Sequence, residues 1–319
     1  MKDKTKKLSI IAGIISFSLI IVHVINKLLF FVNTLKELLY REHGNFYNWR
    51  FGKVFYTKKG SGSPILLVHD LTAMSSHYEW KELSNELSKS HTVYTIDLLG
   101  CGRSDKPKMT YTTYLYVQLL SDFIKNVIKE KTDIVSTRKA SAISIMSCYI
   151  DSQLYNNLIL INPTDLKILN QYPHNKHKML KWFLDIPIIG TLLYNINMNK
   201  HNIHKKFKND YMCSGSVNSK YINAYSEAAH LGGSASKYVY TSIKCHYTNT
   251  NIIHALRDIN NSIFIIGGSD VPNTKEIISE YQYYNPSIDS LIIENTKLFP
   301  QIEKPEECVG MIKLFLNEE

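Results

Sequence analysis

Four lysines, Lys2, Lys4, Lys6 and Lys7, precede a predominantly apolar run from Leu8 to Ile25. As a helix rising 1.5 Å per residue that run spans about 27 Å, close to the thickness of a bilayer's hydrocarbon core. Asn26 and Lys27 interrupt it, and Leu28 to Val32 resumes it. The long stem of Lys27 lets its ammonium snorkel to an interface. A cleaved signal peptide is the competing reading. It needs a short apolar core and a small-x-small cleavage site. The candidate site, Ser16-Phe17-Ser18, would leave Leu19-Ile-Ile-Val near a new terminus, so residues 1–45 are read as an uncleaved anchor with a juxtamembrane helix. The lysine-rich start predicts a single-pass protein of the cell membrane with its folded part outside the cytoplasm. Lys36 and Arg41, on the other flank, pull against that orientation.

Beyond the anchor, Thr34 to Arg41 reads as a helical extension and Asn48 to Lys58 as a strand pair. Short apolar runs then alternate with segments of helical spacing. Strands are expected at Pro64–His69, Val93–Asp97, Asp133–Thr137 and Leu158–Ile161, with helices at Tyr78–Leu87, Tyr114–Ile128 and Ala142–Ile150 between them. That order predicts an α/β protein with a mostly parallel central sheet covered by helices. From Thr164 to about Ala255 the alternation stops and helices rich in Lys, Asn, His and Tyr replace it. Strands resume at Ser262–Ile266 and Ser290–Ile293, and Pro305–Leu316 is a final helix with proline in its first turn. The reading is one domain over 46–319, interrupted by a helical insertion at about 164–255.

Charge refines this picture. The 319 residues hold 37 Lys and Arg against 28 Asp and Glu, a formal charge of +9. Residues 1–50 hold 8 against 3 and residues 165–210 hold 8 against 3, leaving 21 against 22 elsewhere. The basicity therefore belongs to the anchor flank and the insertion. No zinc-finger spacing or RNP-like segment accompanies it, so nucleic acid is not an expected partner. The five cysteines are scattered without a CxxC pair, which supports neither a disulfide scaffold nor a zinc site. Gly232-Gly233 lacks the preceding strand and the Lys-Ser/Thr pair of a phosphate loop. No cofactor and no metal are expected.

The segment Asp97-Leu-Leu-Gly100-Cys-Gly102-Arg103-Ser104-Asp105-Lys106-Pro107 resembles the D-x-x-G-x-G-x-S-D-x-P loop of the α/β-hydrolase fold superfamily, in its esterase, epoxide-hydrolase and haloperoxidase branch. Val68-His69-Asp70 resembles the family's HG turn. Ile265 to Asp270 resembles the late strand that ends in the catalytic acid, and Phe299 to Glu306 the segment after the catalytic histidine. The resemblance covers roughly 46–319 and implies an α/β-hydrolase fold with a helical cap at the insertion. It places the oxyanion region at His69, Asp70 and Leu71, the acid at Asp270, and the nucleophile just after Ile134-Val135.

There the chain departs from the family. One register puts Arg138 at the nucleophile position and the other puts Ala140 there. Arginine cannot be deprotonated to attack a carbonyl. No histidine follows His254, and Leu298 stands at the histidine position. Asp70 replaces glycine in the HG turn, where a carboxylate disfavours an oxyanion. These substitutions imply a scaffold kept without its triad chemistry. Rescue arrangements remain open, with Ser141 as a displaced nucleophile served by His69 or His230. Cys101 and Cys148 are expected to pack, and Asp270 is expected to pair with Arg138 or Lys139.

Whether the chain is an enzyme is left open. The reading is a membrane-anchored protein of serine-hydrolase ancestry, catalytically impaired, that binds an apolar or acyl-like ligand. The alternatives are an active hydrolase of ester-type bonds with a rearranged site, and an interaction platform at the membrane. The expected partner is the lipid bilayer, met by the basic cap with Trp182, Phe183 and Phe207; a protein partner is left unnamed. An open space around Arg138, Asp270 and Leu298 would favour a ligand, and a plugged one a platform.

Overall fold

The computed structural model describes residues 2–213, 215 and 217–316. The chain begins with α1 (Lys2–Thr34), followed by the hairpin β1 (Asn45–Trp49) and β2 (Gly52–Lys59). Next come β3 (Pro64–Val68), α2 (Lys81–Leu87), β4 (Thr92–Ile96), α3 (Thr113–Phe123), β5 (Thr132–Thr137), α4 (Lys139–Ile150) and β6 (Tyr155–Ile161). The insertion holds α5 (Leu166–Leu169), α6 (Asn175–Asp185), α7 (Ile189–Asn197), α8 (Lys200–Lys206), α9 (Ser219–His230), α10 (Lys237–Lys244) and α11 (Ile253–Asp258). The sheet then resumes with β7 (Ile263–Gly268), α12 (Thr274–Tyr284) and β8 (Asp289–Ile293), and α13 (Pro300–Glu303) and α14 (Pro305–Phe315) finish the chain.

The eight strands lie in the order β1-β2-β4-β3-β5-β6-β7-β8. β2 runs antiparallel to both β1 and β4, and the remaining neighbours are parallel. The apolar runs follow from burial on both faces. Successive side chains of a strand point to opposite sides. Leu66, Val68, Ile134, Leu158 and Leu160 enter one core cluster, which continues under α3, α4 and the cap. Ile65, Leu67, Val135, Ile159 and Ile161 enter the other, where α2 and α14 supply Leu83, Leu87, Ile312 and Phe315. Each such side chain contributes about 1.5–3 kcal/mol on burial, so the central strands cannot slip register without exposing both sets.

The region around the end of α1 differs from the sequence expectation. α1 runs unbroken through Asn26 and Lys27 to Thr34 and docks its last third on the cap. Asn26 is buried: its amide donates to Ile188 O at 3.0 Å and its carbonyl accepts from Asn195 at 2.9 Å. Ser226 donates to Asn33 at 3.0 Å, and Phe30 meets His230 edge-on. The expected helical extension over Thr34–Arg41 is broken: α1 ends at Thr34, and only a single 3-10 turn, Leu39–Arg41, follows. The chain turns at Glu37 (φ 47°), and the Leu38 and Leu39 amides donate to the Glu227 carboxylate at 2.8 and 3.0 Å. A buried carboxylate that collects backbone donors substitutes for helical hydrogen bonds there. Over Lys4–Thr34, α1 is long and apolar enough to cross a membrane.

Candidate functional site

The parallel strands present their carboxyl ends at one edge of the sheet, where open α/β sheets bind ligands. β5 ends at Thr137 and α4 starts at Lys139, so a single residue makes the turn. Arg138 adopts φ 50°, ψ −114°, a conformation that non-glycine residues rarely hold and that costs about 1–3 kcal/mol. This is the sharp strand-to-helix turn on which a hydrolase nucleophile would sit. Of the two registers, Arg138 occupies the turn; Ala140 is buried in the first turn of α4.

Arg138 does not pair with Asp270. Its Nε lies 3.2 Å from Asp70 Oδ2, and its guanidinium stands 5.7 Å from the centre of the Tyr211 ring. The other Asp70 oxygen accepts the Lys139 backbone N–H at 3.3 Å. The amide after the nucleophile is an oxyanion-hole donor in this kind of site. A carboxylate of the protein itself fills that place. The Lys139 ammonium turns away and donates to Asn249 at 2.8 Å; burial, partly offset by Asp70, brings its pKa down to about 8. Asp270 is exposed at the end of β7, holding Ser269 at 2.8 Å and the Cys213 thiol at 3.4 Å. The expected ion pair of Asp270 with Arg138 or Lys139 is therefore corrected: Asp70 is the carboxylate that meets Arg138.

The rescue dyads do not assemble among the described residues. Ser141 is buried and donates to Ser136 O at 3.2 Å. His69 is buried too. Its Nδ1 donates to Asp70 O at 2.8 Å while Nε2 accepts the Leu98 amide at 3.0 Å, so neither nitrogen is left to take a serine proton. Burial lowers its pKa and keeps this neutral tautomer. His230 Nδ1 donates to Ser226 O at 2.6 Å, and its ring faces α1 through Phe30. Leu71, Cys101 and Cys148 are buried in the core, and burial pushes both thiols up to about 12.

Leu298 stands near Arg138, and the two share a cavity of about 150 Å³ with Ile168 and Val271. Asn162 holds the segment by donating to Lys297 O at 3.0 Å and Leu298 O at 3.2 Å. Beside it, Phe207, Tyr211, Tyr225 and Phe299 form a contiguous aromatic cluster joining cap to sheet. The sequence reading missed Glu79. This fully buried carboxyl accepts from Thr137 at 2.6 Å, Tyr225 at 3.1 Å and Gln301 at 3.1 Å. Burial, reinforced by the charge of Asp70, raises its pKa to about 8. Its only trace in the sequence is an acidic residue between two aromatic ones, Tyr78 and Trp80. Among the described residues, no group of three or more His, Cys, Asp or Glu is placed to hold a metal.

A family model described as "alpha/beta hydrolase fold" matches residues 63–137, from β3 to the end of β5. The solved structure of a serine hydrolase involved in carbazole degradation superposes with TM-score 0.70 at 19% identity, covering 86% of this chain and 98% of that one. This is an α/β-hydrolase fold. A membrane phospholipase A described as a bacterial virulence factor superposes with TM-score 0.67 at 14% identity, covering 99% of this chain and 98% of that one. In sequence, the 2-hydroxy-6-oxo-6-(2'-aminophenyl)hexa-2,4-dienoic acid hydrolase of Metapseudomonas resinovorans is 30% identical over 115 residues. That match spans 35% of this chain and 40% of the relative's length. In the α/β-hydrolase fold described here, the nucleophile turn keeps its backbone shape while its side chain is an arginine.

Proposed function

We propose that the protein is a membrane-anchored α/β-hydrolase-fold protein that does not hydrolyse esters through a triad and instead works at the bilayer surface. One observation carries the first half: the nucleophile turn is occupied by Arg138, whose partner Asp70 also takes the Lys139 amide. A substrate carbonyl would find neither an attacking atom nor a free donor for its oxygen. Leu298 supplies no imidazole. The relatives named above are hydrolases, so the inherited frame is that of an enzyme whose reacting atoms have been replaced.

The second half is supported by α1 and by the cap. α1 exposes Leu8, Ile14, Ile20 and Leu28 along its length. In the cap, Met179, Trp182, Phe183, Ile189 and Ile196 are exposed on α6 and α7, interleaved with Lys176 and Lys178. Exposed apolar side chains beside lysines are the pattern of an interfacial helix on anionic lipid. The alignment with the membrane phospholipase A takes in α1 as well.

An apolar or acyl-like ligand between cap and sheet would have about 150 Å³ beside Arg138 and Leu298, below the ~300–1,000 Å³ of typical small-molecule sites. The aromatic cluster therefore favours the platform role over a ligand-gating cap at that edge. The test uses the full-length protein. A fluorophosphonate probe should leave it unlabelled, and it should stay with membranes after alkaline carbonate extraction. Labelling that disappears in Ser141→Ala would restore the rearranged-hydrolase reading; release by carbonate would remove the anchor.

A further inference from the structure

His23, Asn26, Lys27 and Phe30 are spaced i, i+3, i+4 and i+7 and share one face of α1. That face closes one side of a cavity of about 640 Å³, whose other walls are the corner between α6 and α7 and the turn before α10. The cavity lies where the long apolar run of α1 ends. Its size falls within the range of ~300–1,000 Å³ for small-molecule sites.

Two features show that its walls are fixed. Ile188, a β-branched residue, is held at φ 65°, ψ −67°, which such side chains strongly avoid. Strain of this kind persists only where the surroundings enforce it, and it clusters at ligand clamps. The enforcing group here is the buried Asn26 amide on Ile188 O. On the opposite side Lys237 is almost fully buried, and its ammonium donates to Asp185 O at 2.9 Å and Ile186 O at 2.8 Å. An ammonium has three hydrogens, so one more acceptor can be served.

The charge around the cavity is positive. Lys27 and Lys237 line it, with His23 and Ser234 as further polar groups. Lys108 stands over the ring of Tyr238, another wall residue. The nearby carboxylate, Asp185, is itself engaged by Lys181 and Thr241. Gly233 adopts φ 60°, and the space where a side chain would stand is open. Phe30 and Ile188 make the remaining wall apolar. α6 and α7 meet at 101° at this corner, and Trp182, Phe183 and Ile189, all exposed, flank it.

We propose that this cavity holds the anionic headgroup of one bilayer phospholipid. Its phosphate would accept from Lys27, Lys237 and Ser234, and its acyl chains would run along the exposed Ile20 and Val24 of α1. The continuity of the cavity with the apolar surface of α1 selects a lipid over a soluble anion. The inference rests on the membrane reading above for the supply of its ligand, but its test does not.

Full-length protein in neutral detergent micelles doped with phosphatidylglycerol or phosphatidylcholine, followed by native mass spectrometry, measures retained lipid directly. Phosphatidylglycerol should be retained over phosphatidylcholine. Lys27→Gln, at an exposed helix position, should lower that preference by about fivefold, the effect of one basic residue near anionic lipid. Ser234→Ala should lower it as well, with both variants melting as the parent does. Equal retention of the two lipids, an unchanged Lys27→Gln variant, or displacement of the lipid by free glycerol phosphate would overturn the assignment. Carbonate extraction is scored separately. Protein released by carbonate that still selects phosphatidylglycerol sinks only the anchor, and anchored protein without selection sinks only this site.

Discussion

The Asp70 carboxylate and the Arg138 guanidinium meet at 3.2 Å on the carboxyl edge of the sheet, where the strand-to-helix turn would otherwise present a nucleophile. Both partners are departures from the family pattern, and they compensate each other. A buried aspartate beside a backbone amide needs a cation, and an arginine locked in a left-handed turn needs an anion. Neither substitution is readily tolerated alone, because an unpaired buried charge is costly.

Arg138→Ala should accordingly destabilise the fold by about 2–3 kcal/mol, less than the ~3–5 kcal/mol of a fully buried pair because Arg138 is partly exposed. Arg138→Gly loses the same pair but relieves the strained φ, so it should be about 1 kcal/mol milder. Urea unfolding of the two variants measures both. A neutral Arg138→Ala would mean that the pair does not hold the turn.

Glu79 predicts a pH dependence. Its carboxyl titrates near 8 in the folded protein against 4.5 for the ordinary group. Between those values the folded state binds the extra proton, so stability from this group falls as pH rises from about 4.5 to about 8 and then levels off. Melting temperature should drop between pH 6 and pH 8. Glu79→Gln should flatten that slope, because an amide holds Thr137 and Tyr225 without titrating. The lysines whose pKa is lowered to about 8, Lys106, Lys139 and Lys237, act in the opposite sense and only above that pH.

Asp97 works on the acid side. Burial would raise its pKa, but His77, with its ring nitrogen 3.0 Å away, and the amides of His77 and Arg103 outweigh burial and bring it down to about 2. The stabilisation is present above pH 4 and is lost as pH falls through about 2. Asp97→Asn should cost roughly 2–3 kcal/mol at neutral pH. The variant should also lose less stability than the parent on going from pH 4 to pH 2.

The same residue explains what was legible in the sequence. The loop from Asp97 to Pro107 is the most specific motif of the chain, and its work is structural. Asp97 collects backbone amides, Ser104 bridges Asp97 O to the Phe55 amide at 2.5 and 2.8 Å, and Asp105 takes the Lys53 amide at 2.7 Å. A motif that staples β2 to β4 does not depend on the reacting groups, so the fold was readable where the activity was not. The strands were readable because burial on both faces makes them continuous apolar runs. The Asp70–Arg138 pair was not, since 68 positions separate the two and no local pattern links them. Nor was the docking of Asn26 on Ile188, because an asparagine in an apolar helix looks the same whether it faces water or a strained carbonyl.

The cap offers a direct optical test of the membrane reading. The chain has three tryptophans. Trp49 and Trp80 are buried in the sheet domain, whereas Trp182 on α6 is 69% exposed, beside Met179 and Phe183. If α6 lies at the interface, its indole sits among headgroups and upper acyl carbons, about 5–10 Å into the boundary. In vesicles containing phospholipids brominated near the glycerol end, emission should be quenched in the parent, and Trp182→Phe should remove the quenchable fraction while leaving the rest. Bromines placed near the chain termini should quench less. Quenching that is equally strong in Trp182→Phe, or absent in the parent, would mean that this face of the cap does not touch lipid.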